Sequence, residues 1–231
     1  MISQLTKRQK IVISSLLLGI FFLGIQFVDF DLRYLSVLGL LILSFLVSFM
    51  ALKDGIGKDA TLLTLVLPVL FTGGAELFFL GLGDSPFFLS LYDILKTLIR
   101  IILVAIYVIG IYALLLTSNI YNVASARTIQ LLRAAHAVGF FLSLITAFFL
   151  FNTLLAWRPD FWLAGLGVGF VSFPLLLQGF WSIDLEKKVN QEIFLLSSIL
   201  SFIVAEIAIV LSFWPITVPV GSLALTTFLY I

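Results

Sequence analysis

No cysteine occurs in the 231 residues, which excludes disulfides, thiolate metal sites and cysteine nucleophiles and leaves the redox compartment unread. Histidine is nearly absent too: His136 stands alone, so neither a metal centre nor a cofactor is expected. Charge is the third scarcity. Only 11% of residues are Asp, Glu, Lys or Arg, and the formal net charge is +1. Phosphate backbones demand a clustered basic surface, so nucleic acid is not an expected partner. Nor does any segment carry the polar half that a soluble domain turns to water.

Hydrocarbon fills the chain instead. Hydrophobic residues make up 62% and the mean hydropathy is +1.23, far outside the range of soluble globular domains. The composition predicts an all-α, polytopic integral membrane helix bundle. A span needs about 20 mainly apolar residues. Such stretches fall near 11–28, 34–52, 61–82, 95–117, 137–157, 162–182, 193–214 and, more weakly, 216–231, giving seven or eight transmembrane helices. The last contains Pro219 and is either a final span or an incomplete one. MISQLTKRQK followed by an apolar run imitates a secretory signal. The run is longer than a signal core and no A-x-A-like site follows, so it is read as an uncleaved first span. Residues 1–231 thus form one transmembrane domain with no loop long enough for a soluble one.

Basic residues near helix ends stay preferentially in the cytoplasm. With the N-terminus inside, the cytoplasmic set is Lys7, Arg8, Lys10, Lys53, Lys58, Arg127, Arg133, Lys187 and Lys188. The other side keeps Arg33, Lys96, Arg100 and Arg158, and the imbalance predicts an N-in protein of a cell membrane, of bacterial cytoplasmic type. Arg127, Arg133, Lys187 and Lys188 are expected to anchor at lipid headgroups. Trp157, Trp162, Trp181 and Trp214 fall near predicted helix ends, where indole rings favour the interface.

A faint internal echo accompanies these spans. YLSVLGLLILSF (34–45) aligns with WLAGLGVGFVSF (162–173), and FFLGIQ (21–26) with FFLFNT (148–153). Ala75-Glu76 and Ala205-Glu206 occupy the third helix of each half. A 4+4 parallel internal repeat, with halves 11–117 and 124–231, is the corresponding expectation.

In LFTGGAELFF (70–79) a carboxylate interrupts the oil. Glu76 comes to roughly 9 Å below the outer boundary at about 1.5 Å per residue, and Glu206 and Arg100 reach a similar depth. An intramembrane charge costs at least about 2.5 kcal/mol on insertion scales, so these groups are expected to face one another or water. Glu76 is expected to pair with Arg100, one span away, with Lys96 a turn above it and Asn152 near the same depth. The cluster is either a staple that fixes helix register or the polar centre of a hydrated cavity. Gly73 and Gly74, and the GxxxG pair Gly165 and Gly169, are expected to let helices pack closely. Pro68, Gly73-Gly74 and Pro174 are candidate helix breaks of the kind carriers place at binding sites.

Chemistry for an enzyme is missing. DGIGKDA (54–60) lacks the upstream Gly and the Ser/Thr of a phosphate loop. His136 has no Gly-x-Ser-x-Gly elbow or second histidine to work with, and is read as interfacial. Two functions lead, a small permease or ion-coupled carrier, or a noncatalytic membrane scaffold or complex subunit; a membrane enzyme acting on lipids is a third reading with no assembled chemistry to support it. Partners are the lipid bilayer and other membrane subunits or further copies of the chain.

Overall fold

The computed structural model describes residues 6–28, 30–53, 62–125, 130–185 and 190–230. They form an all-helical bundle with no strand: α1 (Lys7–Ile25), α2 (Phe30–Leu52), α3 (Val66–Gly83), the short α4 (Pro86–Leu89), α5 (Asp93–Ala124), α6 (Leu132–Ala156), α7 (Phe161–Asp184), α8 (Gln191–Ser212) and α9 (Val218–Tyr230). Leu, Ile, Val and Phe dominate these runs. In oil only a helix satisfies its own backbone, so the same residues that want burial also force the conformation. Seven of the helices are long and apolar enough to cross a membrane, while α9 is shorter.

Local signals set the ends. Thr6 and Gln9 form a reciprocal capping box at the start of α1. Asn190 caps α8 by accepting from the Glu192 amide at 3.3 Å, and Glu192 sits favourably in the positive first turn. Pro68 falls in the first turn of α3, where a missing amide costs nothing, and Pro174 lies within an α7 that runs unbroken from Phe161 to Asp184. Helix breaks at Pro68, Gly73-Gly74 and Pro174 are therefore not found. The α5 helix also outruns its expected end: TSNIYNVA stays helical because Ser118 donates to the Thr64 carbonyl at 2.9 Å, tying it to a 3-10 turn over Leu62–Leu65.

Consecutive helices run antiparallel, so their ends collect on two faces. Thr6 and the starts of α3, α6 and α8 lie on one, the Thr6 face; Asp84 and the starts of α2, α5 and α7 lie on the other, the Asp84 face. α3 is the most enclosed span, packed against α2, α5, α6 and α7. α7 and α8 make the most extensive helix pair. Gly165 and Gly169 lie on that seam: a Cβ on Gly165 would meet Ile209 at 2.6 Å, and one on Gly169 would meet Ala205 at 3.1 Å. On α3, Gly73 receives Leu41 of α2 and Gly74 receives Leu150 of α6. Outward-facing side chains such as Ile20, Ile94 and Phe170 are large and apolar, as a lipid-facing surface requires.

Candidate functional site

Glu76 is completely buried, and neither carboxylate oxygen has a hydrogen-bond partner among the described residues. Thr72, one turn earlier on the same face of α3, begins a buried polar chain. Its hydroxyl donates to the Pro68 carbonyl at 2.9 Å, and lies 3.0 Å from both Ser44 Oγ on α2 and the Tyr107 hydroxyl on α5. Thr72 has one proton, already given to Pro68, so Ser44 and Tyr107 must donate to it. The Tyr107 hydroxyl lies within electrostatic reach of Glu76. Its only proton is committed to Thr72, leaving acceptor lone pairs on that side.

Aromatic rings seal this polar spot. Tyr107 stacks on Phe22 at 4.0 Å between centroids and lies parallel to Phe71 at 5.8 Å. Phe79, one turn beyond Glu76, meets Phe22 at 5.8 Å and Phe149 at 5.6 Å. Phe79 also lines a small cavity of about 40 Å³ toward the Asp84 face, together with Gln26, Arg33, Asp84, Phe88 and Arg100. That space is enough for a water or two. Arg33 holds both Asp84 oxygens, at 2.8 and 3.0 Å, and the buried Gln26 Nε2 has no described partner.

The expected pairing of Glu76 with Arg100 is not what the helices make. Arg100 Cζ lies 5.2 Å from the Phe27 ring centroid and 5.8 Å from that of Phe88. Arg100 precedes Tyr107 by two turns, about 10 Å of helix rise, so the residue that α5 presents at the level of Glu76 is Tyr107. α5 begins at Asp93, close to its expected start, so the pairing fails on the helix register that faces Tyr107, not Arg100, toward Glu76. Glu206 does not join either. It is exposed on α8, in a stripe with Ile199, Phe202, Ile203 and Val210, on a helix whose main packing partners are α7 and α9. Lys96 bonds Asp93 at 3.4 Å, near the start of α5. Asn152 donates to Ser222 Oγ at 3.2 Å and joins α6 to α9.

Among the headgroup residues, Arg133 is exposed at the start of α6. Arg127, Lys187 and Lys188 lie outside the described residues. Trp157, Trp162 and Trp214 are exposed near the Asp84 face, whereas Trp181 is fully buried against Tyr121, Ala135 and Leu185. Among the described residues no group of three His, Asp or Glu side chains is placed to hold a metal. Sequence reasoning missed the Ser44–Thr72–Tyr107 chain; its one legible signal was Thr72 spaced four residues before Glu76. Arg33–Asp84 was hidden as two loop charges distant in sequence.

Comparison with known proteins returned no match: no family model, curated relative or solved structure is similar to this chain.

Proposed function

We propose that this chain is a small cation-coupled carrier of a cell membrane, in which Glu76 is the coupling site and a proton is its simplest occupant. The observation carrying this is a fully buried carboxyl whose neighbours offer lone pairs rather than protons. An ionised carboxylate left so would cost several kcal/mol even after relaxation, and a proton or small cation removes that cost. The Gln26–Arg33–Asp84–Arg100 cavity, one turn beyond, supplies a polar approach from the Asp84 face. The positive-inside bias puts Thr6 and its face in the cytoplasm. Two halves related by duplication fit the neighbours of each helix: α1 and α3 both pack on α2 and α5, and α6 and α8 both pack on α7 and α9.

Infrared difference spectroscopy on the purified chain in liposomes tests Glu76 directly. A carboxyl C=O band that shifts when the pH is stepped or sodium is added, and that vanishes in Glu76→Gln, is expected. In dye-loaded proteoliposomes the same variant should lose any protein-dependent proton flux. A band unchanged between wild type and Glu76→Gln, with equal flux, would refute the proposal. A noncatalytic scaffold is favoured instead by one feature, the exposed Glu206 on α8, which suits a neighbouring membrane helix. In that case Glu76→Leu changes no flux and leaves the bundle at least as stable.

A further inference from the structure

A second cavity lies far from Glu76, near the Thr6 face, where α6, α7, α8 and α9 surround about 500 Å³. This is the size of a small-molecule site. Its deep wall is buried and mixed: Ser143, Leu176, Gln178, Val204 and Leu229 are all less than a tenth exposed. Its rim is apolar and open, with Phe140, Ile183, Ile203 and Phe228 exposed on the lipid-facing side. An occupant can therefore enter sideways from the bilayer.

Most polar groups inside are spent on backbone carbonyls, and Gln178 and Tyr230 are the least committed. Gln178 is 4% exposed, and its amide makes no hydrogen bond to any described residue. The Tyr230 hydroxyl is buried beside the Ser143 hydroxyl, without a partner at full hydrogen-bonding geometry. His136 Nε2 donates to the Ser182 carbonyl at 2.8 Å, and the Tyr121 hydroxyl to the Ala135 carbonyl at 3.2 Å. An amide offers both donors and acceptors, and a phenol offers one of each kind. No Asp, Glu, Lys or Arg is among the described lining residues, and the His136 Nε2 is already engaged by the Ser182 carbonyl. A phosphate or carboxylate head would have to shed its water with no described Lys or Arg side chain to receive it. An uncharged hydroxyl or carbonyl meets Gln178 and Tyr230 on equal terms, while an apolar body fits along Leu200, Val204 and Leu229.

We infer that the α6–α9 cavity binds an uncharged membrane amphiphile, an apolar chain carrying a hydroxyl or carbonyl head, with Gln178 and Tyr230 holding the head. This site is independent of Glu76. The full chain in phosphatidylcholine nanodiscs is labelled with a photoactivatable diazirine analogue of monooleoylglycerol and the crosslinks are mapped. Saturable labelling concentrated on Leu200, Ile203 and Phe228 is expected, competed by unlabelled monooleoylglycerol. Competition by farnesol also supports the site, since it carries the same kind of head. Gln178→Leu combined with Tyr230→Phe should weaken labelling about tenfold, two neutral hydrogen bonds' worth. Tyr230→Phe alone, which removes one oxygen and keeps the packing, should give a smaller loss in the same direction. Labelling spread evenly over the lipid-facing helices, no saturable labelling, equal competition by phosphatidylglycerol, or labelling indifferent to Tyr230→Phe would each overturn the inference.

Discussion

At the scale of single residues, the two membrane glutamates show that an identical Ala-Glu pair acquires opposite meanings from its helix. Glu76 is enclosed because α3 packs on α2, α5, α6 and α7; Glu206 is exposed on α8, which packs chiefly on α7 and α9. Replacing Glu206 with Leu should leave the thermal unfolding of the detergent-solubilised monomer unchanged, since no described partner is lost. In bilayers the same change should raise expression, because an exposed charge costs at least about 2.5 kcal/mol on insertion scales. A fall in expression or the loss of an oligomer for Glu206→Leu would show that another subunit receives that carboxylate. Sequence alone marked both residues as costly, and that judgement needs only hydropathy. It did not tell which would be buried, because burial depends on helix phase and on neighbours that no local pattern encodes. Tyr107 escaped notice for a related reason: a tyrosine in an apolar helix costs little, so nothing in composition singles it out.

At the scale of elements, spans were legible and their ends were not. Six predicted spans match helices closely because continuous apolar runs leave the backbone one solution in oil. The fourth was drawn too short at TSNIYNVA, where a hydrogen bond to a distant 3-10 turn holds polar residues in the helix. Small residues give the clearest element-level prediction. Gly165→Leu should destabilise the α7–α8 pair by about 1–3 kcal/mol through overpacking against Ile209 and the Ala205 carbonyl. Gly39, also on a span, has open space around its missing Cβ, so Gly39→Ala should be neutral or mildly stabilising. Unfolding in graded denaturing detergent ranks the two. Equal effects would mean that helix propensity, not close approach, decides at these glycines.

At the scale of the whole molecule, the charge bias and the alternation of helix direction make one joint statement. Every helix end must fall on its assigned face, and the absence of cysteine makes this testable one position at a time. Gln9 and Asn190 are exposed on the Thr6 face, and Ser90 is exposed beside Asp84. With Thr6 in the cytoplasm, a membrane-impermeant maleimide applied to intact cells should react with Ser90→Cys alone, and should reach Gln9→Cys and Asn190→Cys only after the membrane is opened. The reverse pattern would keep the bundle and invert it, moving the Arg33–Asp84–Arg100 cavity to the cytoplasm and with it the side from which Glu76 is approached. Labelling of Gln9→Cys and Asn190→Cys from opposite sides would break the bundle itself. Six helices, α1, α2, α3, α5, α6 and α7, lie between those two positions, so labelling from one side requires an even number of crossings and rules out a bundle in which a single one of the six fails to cross, without reference to sequence hydropathy.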